Sequence, residues 1–300
     1  LRFDNLTIAL WGDTGRGKTF LLAELIDHLM STKKQRSVVY MADRGWRTMK
    51  PQIDAGAAIP VPLSGDPFNW LSHAVKGEVL DKAGKWVPAP PDVGLYAFES
   101  GTSIGAELKR AVIASHANSG VTQRTDGTTK SMGIGPAANK FKVGTAEAPL
   151  DRASLDKGHF GLMQDELRDA IWKSQDLPGI ILWTFLAQRK QDDDTKQEII
   201  GPEAIGKALT AALPSWFHLS FHVDSTIPIT PNAPEEHILY MSGHNDLTTG
   251  NARAGSNSRV PFGADPMPTV IKPASLVRAL EELAKREVST TTKMKAKYGV

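Results

Sequence analysis

Residues 6–11 form a nearly unbroken apolar run of strand length, the pattern of a strand buried on both faces. A glycine-rich turn follows. Phe20, Leu21, Leu22, Leu25, Ile26, Leu29 and Met30 then recur at the three-to-four spacing of an amphipathic helix. Further strand-length apolar runs fall at 38–41, 94–98, 180–185 and 216–223. Helical patterns lie between them, at Ile104, Leu108, Ala111 and Val112 and again over 161–174. Leu177-Pro178-Gly179 supplies a turn before the run at 180. Strands alternating with helices predict parallel βαβ crossovers and a sheet covered on both faces.

Three stretches break that rhythm. Residues 51–91 are rich in Pro and Gly, with room for a short helix at 70–80. Residues 118–157 carry little apolar periodicity and much Gly, Ser, Thr and Lys, and 242–268 read as loop. Structureless stretches of such length are uncommon inside compact domains unless they serve a function. A helix is expected near 274–286, followed by a disordered basic tail of Lys293, Met294, Lys295, Ala296 and Lys297. The organisation expected is a domain over 1–225, with long loops at 51–91 and 118–157. An extension over 226–300 would hold a β-hairpin, a helix and the basic tail.

Composition narrows the function classes. A net charge of +2 over 300 residues is not that of a protein that coats nucleic acid through bulk charge, although a local basic patch is compatible with it. With no cysteine there can be no disulfide, thiolate metal site or Cys nucleophile, which suits a reducing cytoplasm. No apolar run approaches the roughly 20 residues that span a bilayer, so no membrane role is expected. No signal-peptide pattern opens the chain, which starts on Leu1 rather than Met, as a segment of a longer protein would.

The strongest chemical signal lies in the turn after the first strand. Gly12-Asp13-Thr14-Gly15-Arg16-Gly17-Lys18-Thr19 matches G-x-x-x-x-G-K-[ST] in full. The glycines permit a backbone path whose N–H groups converge on an anion, and the following helix adds its positive N-terminal end. Lys18 is expected at the β- and γ-phosphates of ATP and the Thr19 hydroxyl on Mg²⁺. Gly12 to Thr19 and the adjoining Phe20 are the candidate nucleotide contacts. The strand before the motif and the helix after it are the context this chemistry needs.

Gly94-Leu95-Tyr96-Ala97-Phe98-Glu99-Ser100 is an apolar strand ending in an acid and a serine. An acid at such a strand end can serve the Mg²⁺ of the nucleotide, so Glu99 is a candidate metal residue beside Thr19. An ordinary solvated strand-end glutamate is the alternative. The usual residue in this role is Asp; the longer Glu arm leaves room for a water between carboxylate and metal.

Together with the phosphate motif and this strand end, Gly158-His159-Phe160-Gly161-Leu162-Met163 and Leu186-Ala187-Gln188-Arg189-Lys190 give the chain a resemblance to the RecA-like P-loop ATPases. Among these it resembles the RecA-fold nucleotide-binding proteins of bacterial viruses that act in recombination and single-strand annealing. Gly201-Pro202-Glu203-Ala204-Ile205-Gly206-Lys207 looks like the step leading such proteins into their next helix. The resemblance covers about residues 1–225 in order and spacing. It implies an α/β fold of the RecA-like P-loop NTPase type, with a mostly parallel central sheet and helices on both faces. It also implies ATP hydrolysis, with Gln188 sensing the γ-phosphate and 118–157 and 189–203 as mobile DNA-contacting loops. An acid after the second strand would activate the attacking water. Asp43 is the nearest candidate, against helix capping or a salt bridge to Arg44 or Arg47. Such enzymes complete the site with a Lys or Arg from a neighbouring subunit, for which Lys207, Arg253 and Arg259 lie in suitable segments.

Weaker signals have plainer readings. His218 and His222 share a spacing that would suit a metal on a helix, but they fall in a predicted strand without a carboxylate partner. Asp192-Asp193-Asp194 reads as a solvated loop tip. Lys130, Lys140 and Lys142, with Phe141 among them, could meet a single strand by charge and stacking, or simply solvate a polar loop. The function expected is an ATP-hydrolysing protein on single-stranded DNA, assembled as a homo-oligomeric ring or filament in the cytoplasm, the host's if viral. A viral DNA-packaging or helicase-type motor and a nucleotide-gated module with negligible hydrolysis are the alternatives. A small-molecule kinase would need an acceptor site for which the chain carries no signature.

Overall fold

The apolar run after Asn5 is strand β1 (Leu6–Gly12), at the centre of a twelve-stranded mixed sheet. The computed structural model describes residues 5–42, 45–118, 121–123, 129–131, 157–191, 198–205, 210, 212–225, 236–241, 244–245, 252–254, 257–258 and 268–298. Helix α1 (Lys18–Lys33) follows the glycine turn and leads to β2 (Arg36–Met41). Beyond it come α2 (Lys50–Asp54), β3 (Ala58–Pro62), α3 (Pro67–Ala74), and the small hairpin β4 (Glu78–Leu80) and β5 (Trp86–Pro88). Strand β6 (Val93–Glu99) then enters the sheet, followed by α4 (Gly101–Asn118). A two-stranded hairpin, β7 (Val121–Gln123) with β8 (Thr129–Ser131), precedes α5 (Lys157–Ser174). The remaining main strands are β9 (Ile180–Gln191), β10 (Glu198–Pro202), β11 (Leu219–Ser225) and β12 (His237–Tyr240). Short strands β13 (His244–Asn245), β14 (Ala252–Ala254), β15 (Asn257–Ser258) and β16 (Val270–Ile271) precede α6 (Leu276–Tyr298).

Six strands run parallel in the spatial order β3, β2, β6, β9, β1, β11, with β12 antiparallel beside β11 and β16 beyond it. Strand β9 therefore lies between β1 and β6, which brings the C-terminal ends of the strands bearing Gly12 and Glu99 close together. In open parallel sheets that edge is where ligands bind. The α/β expectation, with a mostly parallel sheet and helices on both faces, is what the chain adopts.

The two cores follow from side-chain alternation along buried strands. Ala9, Trp11, Phe98 and Trp183 face α3, α4 and α5. Ile8, Leu10, Ala97 and Leu182 face α1 and α6. Phe98 and Trp183 stack with ring centroids 4.2 Å apart, and the indole N–H of Trp183 donates to Ser174 Oγ at 3.1 Å. The polar end of a buried aromatic is thereby satisfied at the base of α5. His218 and His222 serve packing: the Nδ1 of His218 accepts the backbone N–H of Thr7 at 3.1 Å, and His222 stacks on Trp11. Among the described residues no cluster of three potential metal ligands occurs, and no helix is long and apolar enough to cross a membrane.

Several elements differ from the sequence expectation. The helix expected at 70–80 is α3, shifted towards the N-terminus because Asp66 caps it (its carboxylate accepts the Phe68 N–H at 3.1 Å) and Pro67 occupies the first turn. Strand β3 does not show in the apolar pattern because Pro60 and Pro62 sit within it; among the described residues it pairs with β2 alone, and an edge strand tolerates proline. The expected loop at 189–203 is instead partly a hairpin. Strand β9 runs on to Gln191 and pairs antiparallel with β10, while 192–197 lie outside the described residues. The basic tail is helical, since α6 continues through Lys293 and Lys297 to Tyr298. Lys, Met and Ala favour helix, so no apolar stripe is needed to extend it. Within 242–268, β13, β14 and β15 pair with other strands.

Candidate nucleotide site

The glycines of the turn are fixed by close approach and by backbone conformation. A Cβ on Gly12 would lie 2.2 Å from the carbonyl oxygen of Val223 in β11, so only glycine lets the two strand ends pack. Gly17, with φ of 92°, turns the chain into α1, and a left-handed conformation there suits glycine. The turn is also held by side chains. The Arg16 guanidinium donates to Ser225 Oγ and lies 3.6 Å from the carboxylate of Asp224, both at the end of β11. Asp13 lies 3.9 Å from the guanidinium of Arg189 on β9. Asp224 and Ser225 carry no local motif that would have marked them as partners of the loop.

Lys18 is buried, only 8% exposed, and its ammonium donates to the carbonyls of Gly12 at 2.7 Å and Asp13 at 2.9 Å. The cation thus lies folded back under its own loop, where the β- and γ-phosphates of a nucleotide would replace carbonyl contacts with stronger charge-assisted ones. Next to it, Thr19 Oγ1 donates to Glu99 Oε1 at 2.9 Å. Glu99 is 4% exposed, so the alternative reading of a solvated strand-end glutamate fails. A hydroxyl and a carboxylate at one point form the hard-oxygen pair that suits Mg²⁺, which takes one or two protein oxygens beside phosphate oxygens and water. The Glu99–Ser100 peptide that follows is cis.

The end of β2 adjoins this point, because Met41 pairs with Glu99 and the Ala42 N–H donates to the Glu99 carbonyl at 2.7 Å. Asp43, the candidate base, lies outside the described residues, as do Lys207, Arg259, Lys140, Phe141, Lys142 and the run Asp192-Asp193-Asp194. Lys130 falls in β8 and Arg253 in β14. Gln188 sits on β9 two residues beyond Leu186, the register partner of Gly12, and its Oε1 accepts from Thr210 Oγ1 at 3.2 Å. Thr102, on the first turn of α4, accepts the Leu186 N–H at 3.0 Å and donates to the Glu203 carbonyl at 3.0 Å. It fixes the segment that carries Gln188 against α4, a role that a single threonine in a helical pattern does not announce.

Phe20, on the first turn of α1, is 61% exposed and lines a cavity of about 470 Å³ beside Gly17. It is lined as well by Glu236 and His237 at the start of β12 and by Pro273 and Ala274 before α6.

No protein-family model and no curated protein matches the chain. Among solved structures, the chain is similar to a KaiC-like protein of the hyperthermophilic archaeon Pyrococcus horikoshii, at 11% identity and a TM-score of 0.42, over 79% of this chain and 78% of that one. It is also similar to the flagellar accessory protein FlaH of Methanocaldococcus jannaschii, at 10% identity and a TM-score of 0.40, over 91% of each chain.

Proposed function

We propose that the chain is a RecA-like ATPase that binds Mg²⁺–ATP at Gly12–Thr19 and acts on single-stranded DNA in recombination or annealing. The observation that carries the nucleotide part is the placement of Lys18, Thr19 and Glu99. A buried ammonium, a hydroxyl and a buried carboxylate meet at the C-terminal ends of β1 and β6. In this reading Lys18 holds the β- and γ-phosphates and Thr19 and Glu99 hold the metal, which would draw charge from the phosphoryl oxygens. Gln188, two residues past the register partner of Gly12, would report on the γ-phosphate. The DNA part rests on the resemblance of the four sequence segments, and a subunit ring or filament would supply the trans-acting cation.

The experiment is ATP hydrolysis measured alone, with single-stranded DNA and with duplex DNA, on the wild type and on Lys18→Ala. Stimulation by single strands that falls with salt is the expected result. Stimulation by duplex alone would point to a packaging or helicase-type motor. Nucleotide binding with no turnover in any condition would make the chain a nucleotide-gated module.

A further inference from the structure

The segments at His237 and Pro273, beyond residue 225, supply four of the seven residues that line a cavity beside the phosphate loop. We infer that this cavity holds the nucleobase of the nucleotide whose phosphates lie on Gly12–Thr19, with Phe20 as the stacking face and the segments at His237 and Pro273 as the opposing wall; the inference rests on the nucleotide reading of that loop.

Three observations carry it. The cavity is contiguous with the phosphate loop: Gly17 lines it, and a Cβ on Gly17 would stand 3.4 Å from the His237 ring. Its volume of about 470 Å³ lies within the roughly 300–1,000 Å³ of small-ligand pockets. The lining is mainly apolar, from Phe20, Leu21, Pro273 and Ala274, with polar groups from Glu236 and His237. That combination suits a flat heterocycle with a polar edge. It also explains Phe20, a large aromatic that the fold leaves 61% exposed although α1 has a buried face available for apolar residues. An aromatic ring at the mouth of such a pocket is a platform on which a base can stack whatever its identity.

The opposing wall is anchored to the helix that bears Phe20. Glu24, one turn further along α1, accepts from Ser275 Oγ at 2.6 Å and from the Leu276 N–H at 2.9 Å. The Ala274 N–H donates to the His237 carbonyl at 2.8 Å, so both wall segments are joined. In this assignment the extension is a clasp over the base, fixed to α1 by these hydrogen bonds and by the apolar cluster that α6 shares with α1.

The test compares the binding of Mg²⁺–ATP with that of inorganic tripolyphosphate, which has the phosphates and no base. For the wild type, ATP is expected to bind more tightly than tripolyphosphate. Phe20→Ala should weaken ATP roughly tenfold or more, the size of a lost base–aromatic stack, and leave tripolyphosphate unchanged. Phe20→Trp should keep the ATP affinity. Because Phe20 is largely exposed, its removal should leave the melting temperature unaltered. Equal losses for both ligands, or no loss for either, would overturn the assignment. So would a Phe20→Ala variant that loses self-association while its preference for ATP over tripolyphosphate stays the same. Were the wild type to bind neither ligand, the nucleotide reading would fall and the cavity assignment with it.

Discussion

The Thr19 hydroxyl donates a 2.9 Å hydrogen bond to Oε1 of Glu99, joining the first turn of α1 to the end of β6 across β9. In the proposed reading, these two oxygens held in contact would be a preorganised half of a metal site. Thr19→Val and Glu99→Gln should each raise the Mg²⁺ concentration that half-saturates ATP turnover, by about 10–100-fold. Glu99→Asp keeps the charge and shortens the arm by one methylene, so it should retain most of the metal affinity. A Mg²⁺ titration of hydrolysis on the three variants reads this directly. Unchanged half-saturation in Glu99→Gln would remove Glu99 from the metal.

Gly12→Ala probes whether the phosphate loop is set by packing as well as by phosphate. The added methyl would meet the Val223 carbonyl oxygen at 2.2 Å, and a backbone atom held in a strand has little room to retreat. Overpacking at such a site costs about 1–3 kcal/mol. The variant should lose that much stability in urea unfolding of the nucleotide-free protein. Gly15→Ala, where none of the described residues stands within 4 Å of the new Cβ, has its φ of 81° to contend with and should lose less.

These two glycines mark the limit of what was legible in the chain. The motif Gly12–Thr19 and the apolar strands of β1, β2, β6 and β9 could be read because buried parallel strands are continuous apolar runs and the phosphate loop has a fixed spacing. Glu99 could be singled out the same way, as the acid at the end of such a run. Arg16 with Asp224 and Ser225, Thr102 with Leu186, and Glu24 with Ser275 were not, because each joins residues far apart in sequence through one polar contact that leaves no period. The extension of β9 through Gln188–Gln191 was hidden for a related reason. Its pairing with β10 is made by backbone groups, and the side chains there are too polar to show as a strand. The cavity wall at His237 and Pro273 belongs to the same class, being assembled by topology from segments that look like loop.

Arg36 and Asp92 form a two-pronged pair at the N-terminal ends of β2 and β6, with both nitrogen–oxygen distances at 2.7 Å. The Arg36 hydrogen bond holds the Asp92 carboxyl below the usual carboxylate range. A carboxylate depressed in the folded state stabilises the fold above its unfolded pKa of about 3.9 and loses that contribution as pH falls through the folded value. Both side chains are partly solvated, which limits the pair to at most about 1 kcal/mol. Asp92→Asn should therefore be slightly less stable than the wild type at pH 7. The difference should close as pH falls below about 4 and shrink in high salt. Paired urea titrations across pH check the sign.

Glu24 and Ser275 give the last prediction, which concerns the junction of α1 with the extension. Ser275 caps α6, its Oγ accepting the Arg278 N–H at 3.1 Å, while Glu24 from the other helix takes the Leu276 N–H. A helix start normally satisfies its free N–H groups from within its own first turn; here part of that work is done across a helix–helix contact. Glu24→Ala removes acceptors from Ser275 and Leu276 together and should cost about 1–2 kcal/mol, within the range for losing a cap. Glu24→Gln keeps one acceptor oxygen and should cost less. Amide exchange should locate the change at the start of α6 rather than in β1 or β9, whose packing the substitution does not touch. Because Pro273 and Ala274 precede that cap, the same variant should weaken ATP more than tripolyphosphate. Equal weakening of the two would mean that Glu24 supports the fold as a whole and not the clasp over the base.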